Sequence, residues 1–170
     1  MIETQVVIGP PTPADADEFL AAVLASRSLA EPWVYAPDTP ELFAAYLARA
    51  AAENQASYLI RHAECGGLVG FANISNIVRG GFQSGYLGYA GFVSHTGRGL
   101  MSAGLRAVIS TAFDALGLHR LEANIQPANT SSRLIAARLG FQLEGFSPRY
   151  LMIGGQWRDH ERWAVLADDW

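Results

Sequence analysis

Hydrophobic positions along the chain switch between a period near two and a period near 3.6, and the switches divide it into elements. Gln5 to Ile8 reads as a short strand. Behind it, Thr12-Pro13-Ala14-Asp15 offers a capping hydroxyl, a proline at the first helical position and an acid at the third. Phe19, Leu20, Val23 and Leu24 then recur at helical spacing, and Thr39-Pro40 opens a second helix that buries Phe43, Tyr46, Leu47 and Ala50. Ser57 to His62 and Leu68 to Ile74 predict an antiparallel hairpin turning at Glu64-Cys65-Gly66-Gly67. A third strand, Tyr86 to Val93, follows the turn around Arg79-Gly80-Gly81. Next, Gly97-Arg98-Gly99 leads into a helix with Met101, Leu105, Val108, Ala112 and Leu116 on one side and Gly117 at its end. His119 to Gln126 predicts a strand, and Asn129 caps a helix closed by Gly140 with Leu134, Ile135 and Leu139 inward. Strands at Phe141 to Glu144, Arg149 to Ile153 and Arg158 to Leu166 complete the pattern, the last two joined across Gly154-Gly155. This order predicts an α+β fold in three layers, a mixed and mostly antiparallel sheet flanked by helices.

Length and composition narrow the class. At 170 residues, with 50% hydrophobic positions, the chain supports one domain, residues 1–170, with a proper core. Only 16% of positions are charged, against about 25% in typical domains, so some surface is expected to meet a ligand or partner. The net charge of −4 argues against nucleic acid as a partner, because phosphate contact needs a concentrated basic face. Cys65 is the single cysteine, and His62, His95, His119 and His160 show no ligand spacing, so neither a disulfide nor a metal is expected. The opening Met-Ile-Glu-Thr carries no leader pattern and no run reaches about 18 apolar residues, which predicts a cytoplasmic protein without a membrane association.

The segment Thr96-Gly97-Arg98-Gly99-Leu100-Met101 carries the chemistry. It lies where a strand feeds a helix N-terminus, so bare amides and the positive end of the helix dipole face one point, and glycines let an anion approach the backbone. A Walker-type loop needs a Gly-Lys pair, and the chain contains no lysine. A dinucleotide fingerprint needs glycine where Ser102 stands. A plain turn is the remaining alternative, and the segments that follow speak against it.

Leu68 to Asn76, Tyr86-Leu87-Gly88-Tyr89, Gly97 to Met101, Ala137-Arg138-Leu139-Gly140-Phe141 with Glu144-Gly145, and Gly155-Gln156-Trp157-Arg158-Asp159-His160 together resemble the GNAT superfamily of acyl-CoA-dependent N-acyltransferases. Within it the chain is similar to ribosomal-protein-alanine N-acetyltransferases of the RimJ/RimL type, with weaker likeness at Pro32-Trp33. The resemblance implies acetyl-CoA as acyl donor and an N-terminal alanine α-amine of a ribosomal protein as acceptor. A small amine as acceptor, or a module that binds acyl-CoA without turnover, are the alternatives, and a homodimer is compatible with it. It further implies that Tyr89, Ala90 and Gly91 pair their backbone with the pantetheine arm, that amides of Gly97, Arg98, Gly99, Leu100, Met101 and Ser102 hold the pyrophosphate, and that Asn129 bonds the cofactor from the opposite helix. Thr96, Met101 and Ala103 depart from the family's usual residues, which removes side-chain roles there but leaves the amide cradle.

An amine must be neutral to attack a thioester, and the departing thiolate benefits from a proton. The first demand is mild for an α-amine, with a pKa of about 7.7 to 8.0 against about 10.4 for lysine. The resemblance implies Ser132 as acid, a residue that alternatively caps its own helix. Glutamates that serve as bases in related branches are replaced by Asn124 and Leu151. Glu122 shares a strand face with Asn124 and is the nearest substitute, unless it pairs with a surface arginine. Asp159 and His160 form a second candidate, although neighbours in a strand point to opposite faces. Trp33 and Tyr35 either line a substrate groove or cover the core. Arg133 and Arg138 either meet a 3′-phosphate or are helix-surface charges, the latter favoured for Arg138. His95 is expected to be solvent-exposed, and Cys65 incidental.

Overall fold

In a computed structural model, residues 5–170 are described; Met1 to Thr4, on which the leader reading rests, lie outside them. Among the described residues seven strands form one sheet in the order β1-β2-β3-β4-β5-β7-β6. They span Val6–Gly9 (β1), Ala56–His62 (β2), Leu68–Val78 (β3), Ser84–Gly91 (β4), Arg120–Ile125 (β5), Gln142–Ile153 (β6) and Gln156–Leu166 (β7). Only the β4–β5 pair is parallel. Five helices accompany them: Ala16–Ala25 (α1), Arg27–Ala30 (α2), Pro40–Ala50 (α3), Leu100–Asp114 (α4) and Thr130–Arg138 (α5).

The helix starts follow from their caps. The Thr12 backbone N–H and hydroxyl both donate to Asp15 Oδ2, at 2.7 and 2.8 Å, holding a 3-10 turn that enters α1. The Thr39 hydroxyl accepts from the Leu42 N–H at 3.3 Å, and Pro40 occupies the first position of α3. Two cores result. On one face α4 lays Leu105, Val108, Ile109 and Ala112 against Ile60, Val69, Ile74, Leu87 and Leu121. Gly104 makes this approach close, since a Cβ there would stand 2.3 Å from Ile60. On the other face α1 and α3 bring Phe19, Phe43 and Tyr46 onto Leu59, Phe71 and Phe92, with the Phe19 and Phe43 rings 5.0 Å apart. Each such side chain contributes about 1.5 to 3 kcal/mol on full burial.

Several expectations need correction. The two strands expected at Phe141 to Glu144 and Arg149 to Ile153 are one long β6, irregular between Leu143 and Gly145 and between Ser147 and Leu151. Within the second irregularity Pro148 has no N–H for the ladder and Arg149 takes φ +48°, its N–H donating to Asp159 Oδ1 at 2.8 Å. Leu24 and Leu134, expected inward, are exposed. At 100° per residue Leu24 lies about 140° around from Phe19 and Leu134 about 160° from Ala136, away from the buried stripes. The four-residue α2 has no expected counterpart, and β4 begins at Ser84 and ends at Gly91, a 3-10 turn taking up Val93–His95.

Candidate active site

β4 and β5 bond to each other only through Ser84, Gly85 and Tyr86 against Arg120, Leu121 and Glu122. Beyond that point β4 continues to Gly91 and β5 to Ile125 without pairing, so the sheet opens into a wedge. Tyr89, Ala90 and Gly91 keep their other edge on Ala72, Phe71 and Gly70 of β3. Their wedge-side edge is therefore available to an extended ligand chain.

The glycine loop lies where β4 turns toward α4. Gly97 and Gly99 adopt φ +75° and +74°, a region that costs a residue with a side chain about 1 to 3 kcal/mol. Gly99 caps α4, whose first helical bond runs from Ala103 N–H to the Gly99 carbonyl at 3.1 Å. The amides of Leu100, Met101 and Ser102 precede it and lack a helical acceptor. A Cβ on Gly97 or Gly99 would meet nothing within 4 Å. That open space belongs to a cavity of about 410 Å³, walled by Gly97, Gly99, Met101 and Ser102 on one side and Asn129, Ser132 and Ile135 on the other. Bare amides, positive helix end and open space fit a diphosphate.

At α5, Asn129 Oδ1 accepts from the Ser132 N–H at 3.2 Å, so Asn129 and not Ser132 caps the helix. The Tyr89 hydroxyl donates to the Ser132 carbonyl at 3.2 Å and ties the helix start to β4. Burial pushes the Tyr89 phenol up to about 12, a hydrogen bond with Ser132 offsetting part of the rise, so it stays a donor at neutral pH. A second cavity of about 80 Å³ fills the wedge, with Gly88, Asn124, Gln126 and His160 on its walls. Trp33, Val34, Tyr89, Asn129 and Ser132 border both cavities, so the two adjoin.

Residues 5–142 match the family model described as acetyltransferase (GNAT) domain, well over half of the chain. The chain belongs to the GNAT acetyltransferase family. Its sequence is 45% identical over 103 residues to the [Ribosomal protein uS5]-alanine N-acetyltransferase of Escherichia coli, a match covering 61% of this chain and 53% of that protein. The chain thus spans about half the length of the curated relatives it matches first. Among solved structures it is similar to Mycobacterium smegmatis RimJ in complex with CoA-disulfide, with 31% identity, a TM-score of 0.88, and coverage of 96% of this chain and 82% of that one. The ribosomal-protein-S5-alanine acetyltransferase of Vibrio fischeri superposes with a TM-score of 0.85 at 28% identity, covering 98% and 95% of the two chains. The open seven-stranded sheet with helices on both faces is accordingly the GNAT fold.

In this GNAT domain the residues singled out from the sequence are only partly assembled. Tyr89, Ala90, Gly91, Gly97, Gly99, Met101, Ser102, Asn129 and Ser132 share the loop cavity. Arg98 is exposed and absent from its lining, and Leu100 is buried in the core, leaving only their amides toward the loop. Asn124 lines the wedge, but Glu122 lines neither cavity. Its Oε1 accepts from Arg120 Nε at 2.9 Å at the closed end of the wedge, and Arg120 also binds Glu144. The ion pair weighed against a base role is what the fold contains. His160 enters the wedge while Asp159 turns to the β6 irregularity, the opposite facing expected of strand neighbours. Trp33 borders both cavities, whereas Tyr35 packs its ring on the β6–β7 turn, within 2.8 Å of where a Gly154 Cβ would be. Arg133, whose role the sequence left open, bonds Glu161 Oε2 through Nε at 2.9 Å, while Arg138, favoured as a surface charge, lines the loop cavity. His95, expected exposed, is half-buried, lines that cavity and bonds Ser94 Oγ at 2.9 Å. Leu29 and Ala30 of α2 also line it; the four-residue helix gave no period long enough to reveal them. Among the described residues no cluster of His, Cys, Asp or Glu could hold a metal ion, and no helix is long and apolar enough to cross a membrane.

Proposed function

We propose that this protein is an acetyl-CoA-dependent N-acetyltransferase acting on the N-terminal alanine α-amine of a ribosomal protein in the cytoplasm. The observation that carries the reading is the adjoining pair of cavities, one ringed by bare amides and the other polar, meeting at Tyr89, Asn129 and Ser132. The 45% identity to an enzyme of that acceptor class supports the choice of acceptor. Bound acetyl-CoA supplies an activated acyl group as a thioester. The loop amides and the α4 dipole hold its phosphates, the free edge of Tyr89 to Gly91 aligns its arm, and Arg138 offers a cation at the cavity wall. Ser132 supplies a hydroxyl proton for the departing thiolate.

The lining favours a single amine over a polyamine. Among the described residues no aspartate or glutamate lines either adjoining cavity, and several cations in one substrate would need them. A third cavity, of about 250 Å³, does hold Glu31 and Asp38, but both contact Arg27. The test is incubation with acetyl-CoA and, separately, an Ala-initiated ribosomal-protein peptide, the same peptide with a blocked N-terminus, and spermidine, reading acetylation by mass spectrometry and thiol release by absorbance. Acetylation of the free α-amine alone is expected. Acetylation of spermidine alone overturns the acceptor, and binding of acetyl-CoA without thiol release from any acceptor overturns the activity.

A further inference from the structure

His160 is a buried histidine, 3% exposed, on the wedge wall of β7. Its Nδ1 lies 2.9 Å from the Arg158 carbonyl, which can only accept, so Nδ1 carries the proton. In the neutral ring Nε2 then holds the lone pair, and among the described residues no group is hydrogen-bonded to it. Two more polar ends in the same cavity are unspent: Asn124 Oδ1 and Gln126 Nε2 are buried without a partner. Buried polar atoms left unpaired lose their hydration without a replacement bond, so their convergence with a free imidazole nitrogen marks a place for a ligand with both donors and acceptors. At about 80 Å³ the space admits an amino group and a water, since one water occupies about 30 Å³.

We propose that His160 Nε2 is the proton acceptor for the incoming α-ammonium, with Asn124 Oδ1 receiving a second N–H and orienting the nitrogen. This rests on the acetyltransferase reading above and names the base that the missing glutamates leave open. One ammonium proton passes to Nε2, directly or through a water in the wedge, and the freed electron pair forms the C–N bond to the acyl carbon. The C–S bond breaks with its electrons on sulfur, which takes the Ser132 hydroxyl proton; the second nitrogen proton restores the Ser132 hydroxyl, and the proton on His160 returns to solvent. The titratable groups facing the imidazole are Tyr89 across the wedge and Tyr150, whose ring centroid is 6.4 Å away. Arg158 and Arg162 flank it on the same face of β7. Asp159 and Glu161 point to the other face, held by Arg149 and Arg133, and α5 and the segment before α3 present only Asn129, Ser132, Trp33 and Val34.

The test separates the two ring nitrogens. His160→Asn keeps a donor near Nδ1 and removes the basic nitrogen; His160→Gln keeps an amide near Nε2 and removes the Nδ1 donor. With an Ala-initiated peptide, both are expected to lose about 100-fold or more in kcat with acetyl-CoA affinity unchanged, within the range of general-base contributions. His160→Asn should gain more than wild type from a rise in pH above the α-amine range of about 7.7 to 8.0, because an amine that arrives neutral needs no proton acceptor. Near wild-type turnover and an unaltered profile in His160→Asn overturn the proposal and leave His160 a structural link to the Arg158 carbonyl. If His160→Asn does not fold, His160→Gln decides: lost turnover that a rise in pH partly restores supports the base, and near wild-type turnover overturns it. Absence of wild-type turnover with every acceptor overturns the acetyltransferase reading and this inference together, whereas equal turnover by wild type and His160→Asn overturns this inference alone.

Discussion

The two ends of β5 carry polar side chains on the same face and treat them oppositely. At the closed end of the wedge Arg120 bonds Glu122 and Glu144, so every charge has a partner within the fold. Two to four residues along the same face, Asn124 Oδ1 and Gln126 Nε2 have none, and His160 beside them uses only one nitrogen. The difference coincides with the last β4–β5 hydrogen bonds. Where the strands pair, side chains are close enough to satisfy one another; where they part, polar groups that could have been replaced by apolar ones remain and face a cavity. The same contrast separates α5, whose first turn is capped by Asn129, from α4, whose first amides follow a glycine with no side chain to cap them. Along this one face, paired side chains stand at the closed end of the wedge and unpaired atoms stand at the cavity.

Four substitutions or conditions test that division. The largest effect is expected from Gly99→Val, which forces a β-branched residue to φ +74° and fills the space before the amides; coenzyme A affinity by calorimetry should fall about 100-fold, or about 2.8 kcal/mol. Undiminished binding would break the assignment of the loop as the open end. Asn124→Leu should lower kcat/KM about tenfold while the unfolding midpoint in urea stays the same or rises, because the lost oxygen had no partner. A loss of stability there would show that Asn124 belongs with the satisfied groups. Arg120→Met should do the reverse, removing about 1 to 2 kcal/mol of stability and leaving kcat within about twofold, since it strands Glu122 and Glu144 together. In calorimetry that corresponds to a Tm lower by about 2 to 8 °C.

The smallest effect is on pH. The hydrogen bonds from Arg120 hold the Glu144 carboxyl below its ordinary value of 4.5, and burial offsets part of that. A depressed folded-state pKa gives stability that is present above pH 4.5 and lost as pH falls through the folded value. Stability measured by denaturant between pH 6 and pH 3 should therefore decline in acid, and Arg120→Met should flatten part of the decline.

The periodic elements were legible in the chain itself because their causes are local. Thr12, Thr39 and Asn129 cap the helices they precede, the apolar stripe of α4 meets the sheet, and the glycine loop stands at the predicted strand-to-helix junction. The family's order of motifs was likewise readable from residues alone. What sequence spacing could not decide was pairing across the sheet. Glu122 and Asn124 were correctly placed on one face, yet which of them meets a partner depends on where β4 leaves β5, a property of two strands far apart in the chain. Likewise β6 reads as two strands until Asp159 from β7 takes up the Arg149 N–H, and the role of Arg133 stays open until Glu161 claims it. Local propensities act within a few residues, while hydrogen bonds and ion pairs act wherever the folded chain brings their ends within about 3 Å. The amino-acid order alone therefore determined the fold and the glycine turn before α4, and only the assembled sheet decided which polar groups remain unpaired at the cavity.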